Sequence, residues 1–169
     1  MKIALCIGAF VLFGGLLAAQ VQVDGRVSPG EYPNSIQALD GVANIAYAAD
    51  GQGGWYFALT IQTTGWIGMG LGSHVMDGAS IFMGFVRNGK AVFSEQKGIG
   101  HTHKPSTVKL ADQSATGFKD GFTTIEFHIK AKDLPFQGKT FNYIVAFADM
   151  ADLTSFHEDN ESSGTITLP

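Results

Sequence analysis

The chain has 169 residues, 45% of them apolar, which is enough to bury one hydrophobic core but few for two full domains. Only 15% of the residues are charged, and 15 acidic residues outnumber 11 basic ones, which argues against a nucleic-acid partner. The single cysteine, Cys6, precedes the region predicted to fold, so the domain can form no disulfide, thiolate metal cluster or covalently attached c-type haem.

The first nineteen residues are typical of a secretory signal peptide. Lys2 is followed by the apolar run IALCIGAFVLFGGLLAA, which ends in small residues. We predict cleavage after Ala19, which leaves one soluble domain at 20–169 that is secreted or periplasmic. A retained membrane anchor is the alternative, because the apolar run approaches the length needed to span a bilayer.

Apolar and polar residues alternate with a period of two through most of the remaining chain, which predicts β-strands. Three clear examples are WYFALTIQ (55–62), TTIEFHIK (123–130) and TFNYIVAFA (140–148). His128 lies on the polar face of the second of these, and we predict that it is solvated. Shorter candidates are NIAYAA (44–49), STVKLAD (106–112) and GTITL (164–168), while AKDLP (131–135) predicts a single helical turn.

The stretch SIFMGFVRNGKAVFSE (80–95) predicts a β-hairpin with Asn88-Gly89 as its turn. In its first strand, Met83 shares a face with Ile81 and Phe85, so we expect Met83 in the core. Frequent turn signals and about eight to ten strands predict an all-β fold, an antiparallel β-sandwich with an immunoglobulin-like architecture.

The segment GWIGMGLGSHVMDGAS (65–80) combines a line of glycines with two soft, ligand-capable side chains. In a strand over 66–72, one face presents Trp66, Gly68, Gly70 and Gly72, and the other presents Ile67, Met69 and Leu71. Glycine weakens a strand, so such a line indicates the close approach of another backbone or of a flat ligand.

Three interpretations of the histidines and methionines follow from the residues alone. They are unremarkable loop residues, or His74, Met76, His101 and His103 form a copper site, since thioethers and imidazoles suit copper. Alternatively, one thioether and one imidazole hold a haem non-covalently. The sequence contains no Gly-x-Ser-x-Gly elbow and no cysteine nucleophile in the domain, so we expect a binding or electron-transfer domain, not an enzyme.

Five segments, taken in order, resemble the DOMON family across nearly the whole domain: VDGRVSPGEY, GWIGMGLG, MDGASIFMGFVRNGK, TTIEFHI and FHEDNESSGTITL. DOMON domains are β-sandwiches that bind b-type haem or, in some branches, sugars. The cytochrome domain of cellobiose dehydrogenase is a haem-binding relative.

The resemblance implies a b-type cytochrome domain that binds haem non-covalently and transfers single electrons. By position, Met76 and His157 match the axial ligands of the haem-binding branch, and Trp66, Gly68, Gly70 and Gly72 would line the haem. His74 is an alternative to Met76, which would give two imidazole ligands. Relatives often have a basic residue after the late histidine, but here Glu158 follows, so Lys104 or Arg87 is the candidate partner for a haem propionate, if one exists.

Two other functions stay open at this point. A carbohydrate-binding module on the same sandwich would use aromatic platforms, with Trp55, Tyr56, Trp66 and Tyr143 as candidates. A copper-binding protein would use the four residues named above. For the cytochrome, the expected partner is a redox protein that is basic or membrane-bound, because the domain is acidic.

Overall fold

The computed structural model describes residues 20–169, so the predicted signal peptide lies outside the described residues. This part of the chain forms eleven strands: β1 (Asn34–Ala38), β2 (Ala43–Ala49), β3 (Trp55–Ile61), β4 (Ile67–Leu71), β5 (Ser80–Arg87), β6 (Lys90–Ile99), β7 (Thr102–Pro105), β8 (Ala111–Lys119), β9 (Phe122–Ile129), β10 (Thr140–Phe147) and β11 (Glu161–Thr167). Two 3₁₀ turns span Leu39–Gly41 and Ala131–Asp133, the second within the predicted helical turn. Within 20–169, no helix has the length and apolarity required to cross a membrane.

The strands form two antiparallel sheets that pack as a sandwich, which confirms the predicted fold class. One sheet has the order β1-β2-β3-β9-β8, and the other has the order β11-β10-β4-β5-β6-β7. The described chain has eleven strands, slightly more than predicted, because β1 and β7 are short and weakly patterned. The STVKLAD segment is mostly irregular, and the edge strand β8 begins only at Ala111.

The core between the sheets is built from the apolar faces that alternation predicts. Phe57, Leu59 and Ile61 of β3 face the core, as do Ile125, Phe127 and Ile129 of β9. On the facing sheet, Ile67, Met69 and Leu71 of β4 are fully buried against them. The rings of Phe82 and Phe127 stack across the sandwich with their centroids 4.1 Å apart.

The β5–β6 hairpin turns at Asn88-Gly89 as predicted, and both residues have a positive φ, 53° and 72°. This is the conformation that a two-residue hairpin turn of this kind requires. Met83 is buried and shares a face with Ile81 and Phe85 as predicted, but this face is not the one that packs between the two sheets. Phe82 points into the sandwich core, whereas Met83 belongs to a second apolar cluster on the outer face of the six-stranded sheet, together with Trp66, Ala79, Ile81, Phe85 and Ala148.

The segment before β1 is attached to the outer face of the five-stranded sheet by Glu126 of β9. One Glu126 carboxylate oxygen accepts hydrogen bonds from the backbone amides of Asp24, Gly25 and Arg26, and the other accepts one from the Tyr32 hydroxyl. Gly25 has φ +86° and lies against the backbone of Gly117, where a side chain would collide. These contacts explain why the VDGRVSPGEY segment requires Gly25.

His128 is buried, contrary to the prediction that it is solvated. The residue is 5% exposed, and its ring lies between two carboxylates, with Nδ1 2.6 Å from Asp112 and Nε2 3.0 Å from Asp50. The ring of Tyr56 covers it, with centroids 4.4 Å apart. The polar face of a strand is therefore not always exposed to solvent, because side chains from neighbouring segments cover the polar face of β9 at His128.

Candidate functional site

A cavity of about 340 Å³ lies on the outer face of the six-stranded sheet. Its floor is formed by β10, β4 and β5, and its sides are formed by the loop after β4, the β6–β7 hairpin and the loop between β10 and β11. The size is within the range of small-molecule and cofactor sites. The floor residues are Gly68, Gly70, Ile81, Met83, Ile144 and Ala146.

The glycines of β4 make a trough along this floor. In the strand register, Gly68 lies between Ala146 of β10 and Met83 of β5, and Gly70 lies between Ile144 and Ile81. The central strand thus lacks side chains where both flanking strands have them. Flanking side chains approach the glycines closely, since a Cβ atom on Gly70 would lie 2.5 Å from Ile144.

Trp66, Gly68 and Gly70 line the cavity, whereas Gly72 lies outside the set of residues that line it. Strand β4 ends at Leu71, and Gly72 has φ +89°, so the alternation that we extended to residue 72 stops one residue earlier. A Cβ atom on Gly72 would lie 2.7 Å from the carbonyl oxygen of Pro135. Gly72 therefore allows the chain to turn close to another backbone.

Met76 lines the cavity and is half-buried, in a loop that hydrogen bonds fasten to the β6–β7 hairpin. The Gly98 amide donates to the Ala79 carbonyl at 3.0 Å, and the Gly100 amide donates to the Asp77 carboxylate at 2.8 Å. His74, two residues before Met76, is exposed and does not line the cavity. Of the two candidate ligands in this loop, Met76 therefore lies at the cavity and His74 lies outside it.

His157 lies in the loop that covers the other part of the cavity, and Trp66 anchors this loop. The indole N–H of Trp66 donates to the carbonyl oxygen of Ser155 at 3.1 Å and to its hydroxyl at 2.9 Å. The Asp152 carboxylate caps the same turn by accepting from the Ser155 amide at 2.7 Å. The loop is thus held by a buried aromatic side chain and by its own hydrogen bonds.

Both ring nitrogens of His157 face oxygen atoms. Nδ1 lies 2.9 Å from the Glu158 carbonyl, which can only accept, so this nitrogen must bear a proton. Nε2 lies 3.2 Å from the Glu161 carboxylate, whose side chain is 62% exposed. A backbone carbonyl on one nitrogen is the usual orientation of a metal-binding histidine, and it designates Nε2 as the nitrogen for a ligand.

Two further histidines line the cavity from the β6–β7 hairpin. His103 is half-buried, and its Nδ1 lies 3.3 Å from the amide oxygen of Gln96. Burial and, to a smaller extent, the positive charge of a protonated His157 lower the pKa of His103. His101 is exposed at the rim. Within 20–169, no group of three or more His, Cys, Asp or Glu side chains is arranged to hold a metal ion.

The side chains proposed as propionate partners lie elsewhere. The guanidinium of Arg87 is 5.8 Å from the ring centroid of Phe85, beside the hairpin turn, and Lys104 is exposed on β7 next to His103. Of the residues that the structure describes, no Lys or Arg lines the cavity. Polar groups at its edge come instead from Thr102, Thr154 and Ser155.

The aromatic side chains considered as sugar platforms are mostly inaccessible. Trp55 and Tyr143 are buried in the sandwich core, and Trp66 is buried beneath the cavity loop. Tyr56 is half-buried, and its ring packs against that of His128.

Sequence reasoning missed several cavity residues because their role depends on pairing between distant strands. Met83, Ile144 and Ala146 line the floor only because β4 pairs with both β5 and β10. The register could not be read from the sequence, although the small residue Ala146 in an otherwise bulky strand was a usable signal. Ser155 was also missed, since its role depends on the Trp66 indole.

The fold is also found among proteins of known structure. No protein-family model matches the sequence, and no curated protein matches it. The chain is similar to the cytochrome b domain of pyranose dehydrogenase from Coprinopsis cinerea, with a TM-score of 0.59 and 15% identity over 79% of this chain and 80% of that one. It is also similar to the cytochrome domain of Myriococcum thermophilum cellobiose dehydrogenase, with a TM-score of 0.55 and 10% identity over 75% of this chain and 74% of that one.

The chain has the fold of cytochrome b domains. The resemblance to DOMON-type domains drawn from the sequence is confirmed at this level, although the identities are low.

Proposed function

We propose that this protein is a secreted b-type cytochrome domain that binds haem non-covalently in the cavity and transfers single electrons, with Met76 and His157 as axial ligands. The observation that supports this most directly is the convergence of two soft donors on one cavity. Met76 and His157 are 81 residues apart in the chain, yet both line the same cavity above a trough of glycines. The cytochrome fold of the chain agrees with this use of the cavity.

The donor set in the cavity suits haem of the b type. Thioether sulfur and neutral imidazole nitrogen are established axial ligands of haem iron, and a methionine ligand raises the reduction potential. The only cysteine of the chain lies within the predicted signal peptide, so the residues of the domain offer no thiol for covalent attachment. The apolar floor and the polar edge match a flat, apolar macrocycle with a polar rim.

The residues of the chain have distinct roles in this proposal. Met76 and the Nε2 atom of His157 would hold the iron, and the Glu158 carbonyl orients the imidazole through Nδ1. Gly68 and Gly70 leave room for a flat ring system, while Trp66 supports the loop that bears His157. Haem, when bound, supplies a reversible one-electron couple, and the apolar floor keeps water away from it.

His74 is the weaker ligand candidate because it is exposed and lies outside the cavity lining. The Glu161 carboxylate near Nε2 of His157 would have to move aside on ligation, which its exposed position permits.

The test is an absorption spectrum of the full chain produced in a secretion host supplied with haem. We expect a Soret band and a six-coordinate, low-spin spectrum in both oxidation states. Met76→Ala and His157→Ala should each abolish the six-coordinate spectrum, and His74→Ala should leave it unchanged. A protein that stays colourless after haem titration would refute the proposal, and a spectrum that His74→Ala alone alters would reassign the ligand.

The proposed setting follows from the same hypothesis. A signal peptide at 1–19 would deliver the domain to the periplasm or the outside of the cell, where a redox protein would accept or supply the electron. An acidic domain favours a basic partner, since opposite charges accelerate encounter. Amino-terminal sequencing of the secreted product, with Gln20 expected as the first residue, checks the cleavage site.

A further inference from the structure

The loop that covers the cavity exposes two large apolar side chains to solvent. Phe156 is 74% exposed, and Met150 is 63% exposed. A cleft of about 410 Å³ lies between them, and it shares Ser155 and Phe156 with the cavity described above. Exposed aromatic residues beside a cleft are the usual centre of a protein interaction site.

The acidic excess of the whole chain is concentrated in the same region. Residues 140–169 contain no Lys or Arg and five carboxylates: Asp149, Asp152, Glu158, Asp159 and Glu161. Since the chain has 15 acidic and 11 basic residues, the remainder has ten acidic residues against eleven basic ones. The strong negative charge is therefore a local property of the cavity loop and the start of the last strand.

Several of these carboxylates are available to a partner. Asp149 and Glu158 line the cleft with Met150 and Phe156. Both Glu158 and Asp159 are exposed, and within the described part of the chain no salt bridge involves either of them.

We propose that the Phe156 surface, defined as Asp149, Met150, Phe156, Glu158 and Asp159, is the docking surface for a basic redox protein. The partner would present lysines or arginines around an apolar contact, so that Phe156 is buried at the centre and the carboxylates pair at the rim. The electron-transfer role of this surface rests on the proposed haem function, but the docking itself does not.

The geometry links this surface to the candidate ligand. The ring of Phe156 lies 4.7 Å from the ring of His157, its neighbour in the chain, so a partner seated on Phe156 is one side chain away from the proposed iron ligand. An apolar centre with a charged rim provides both contact area and electrostatic steering. The same carboxylates repel nucleic acids and anionic membranes, which leaves a basic protein as the partner of matching charge.

The first experiment measures binding alone, so it does not require haem. The probe is horse cytochrome c, a small basic redox protein. The dissociation constant of its complex with the full secreted chain is measured at low and at moderate ionic strength. We expect association that weakens at least ten-fold as salt increases. In the double variant Asp149→Lys/Asp159→Lys, binding should weaken by at least ten-fold at low salt and lose most of its salt dependence.

A matched control changes the net charge by the same amount at residues outside the Phe156 surface. Asp24→Lys/Asp133→Lys alters one residue of the segment before β1 and one of the 3₁₀ turn after β9, and should change the dissociation constant less than three-fold. Phe156→Ala should weaken binding several-fold while the salt dependence persists. Equal effects of the two charge-reversed proteins would overturn the proposal, because they would show that net charge alone attracts the probe.

The second experiment separates docking from haem binding. If the wild-type protein contains haem, the rate at which its ferrous form reduces ferricytochrome c should fall with Asp149→Lys/Asp159→Lys as binding does, while its rate with a small neutral quinone stays the same. An absence of haem would refute the proposed function but leave the binding result intact. If the protein binds haem but both charge-reversed variants transfer electrons to cytochrome c at the same rate, the proposed docking surface alone is refuted.

Discussion

Gly98 of β6 lies directly against the backbone of Met76. A Cβ atom on Gly98 would overlap the carbonyl oxygen of Met76 and would lie 3.3 Å from its Cγ. The Gly98 carbonyl also accepts a hydrogen bond from the Gly78 amide at 3.2 Å. The position of Met76, the proposed thioether ligand, therefore depends on the absence of a side chain at Gly98.

We predict that Gly98→Ala displaces the Met76 loop and removes thioether ligation. The added methyl group cannot be accommodated by rotation of a side chain, because the obstructing atom belongs to the backbone. The expected results are loss of the six-coordinate, low-spin spectrum and a decrease of about 1–3 kcal/mol in the free energy of unfolding, as for other overpacked sites. Absorption spectra of the haem-loaded protein and thermal unfolding measure the two effects.

Gly100→Asn is the matched control in the same hairpin. Gly100 has φ +57° and open space around it, and asparagine tolerates this backbone conformation. The control should retain the spectrum. If Gly98→Ala also retains it, Met76 is not held by this contact.

We predict that Trp66→Phe weakens haem binding by loosening the loop that bears His157. Phenylalanine fills most of the buried space but cannot donate to Ser155. The loss of a buried hydrogen bond costs about 1–3 kcal/mol when its partner is left unsatisfied. Haem titration followed at the Soret band should show an affinity at least ten-fold lower.

Trp55→Phe is the control for this substitution, because Trp55 is buried in the sandwich core away from the cavity. It should lower stability without selectively weakening haem binding. Equal haem affinities of Trp66→Phe and the wild type would show that the indole hydrogen bonds do not position His157.

The sandwich could be predicted from the sequence because several strands are apolar on one face and polar on the other. In β3, β9 and β10 the polar face is distinct, so the period of two identifies the core residues without knowledge of the pairing. In β5 the same rule groups the residues of each face but does not say which face packs between the sheets, because Phe82 packs in the core and Met83 packs in the second cluster on the other face. Alternation cannot distinguish two apolar faces.

The candidate site was predictable only in part for a related reason. Met76 and His157 came from the family resemblance, since nothing in the spacing of residues 81 positions apart indicates that they share a cavity. The burial of His128 was missed because its partners, Asp50 and Asp112, are 78 and 16 residues away. Contacts of this kind depend on which strands become neighbours, and the alternation pattern contains no such information.

We predict that Glu161→Gln increases haem affinity. The Glu161 carboxylate lies 3.2 Å from Nε2 of His157, the nitrogen proposed to bind iron, and competes with the metal for it. A partly exposed ion pair of this kind contributes at most about 1 kcal/mol, so the expected gain is up to about five-fold. Haem titrations of the two proteins under identical salt conditions measure the gain.

Glu158→Gln is the matched control, because His157 contacts the backbone carbonyl of Glu158 and not its side chain. The control should leave haem affinity unchanged. Weaker haem binding by Glu161→Gln than by the wild type would show instead that the carboxylate helps to orient the ligand.

The cluster around His128 makes the stability of the domain sensitive to acid. Both ring nitrogens lie within hydrogen-bond distance of a carboxylate, Nδ1 at 2.6 Å from Asp112 and Nε2 at 3.0 Å from Asp50. Burial alone would raise the pKa of the Asp50 carboxyl, but hydrogen bonds from the Gln52 amide and the His128 ring, among others, hold that pKa below its ordinary value.

The Asp112 carboxyl behaves in the same way. Burial opposes its charged form, yet hydrogen bonds from Lys130 and His128 keep the pKa below its ordinary value. Lys130 lies 2.9 Å from Asp112 at the exposed side of the cluster, and Tyr56 covers the ring of His128. The two carboxylates therefore bind protons less readily in the folded chain than in the unfolded one.

We predict that stability decreases as the pH falls below about 4, near the pKa of an aspartate in an unfolded chain. A carboxyl group whose pKa is lowered by folding contributes stability above the unfolded value, and this contribution is lost as the pH falls through the folded value. His128→Gln should destabilise the domain by about 1–3 kcal/mol at neutral pH, since one glutamine cannot serve both carboxylates. It should also flatten the acid limb of the curve.

Urea unfolding of the wild type and His128→Gln between pH 3 and pH 7 provides the measurement, with His74→Gln as the exposed-histidine control. The difference in unfolding free energy between wild type and His128→Gln should shrink as the pH falls, because protonation of Asp50 and Asp112 removes the negative charges that hydrogen bonds from the ring stabilise. Parallel curves for the two proteins over the whole range would mean that the cluster of His128, Asp50 and Asp112 contributes nothing to the acid sensitivity.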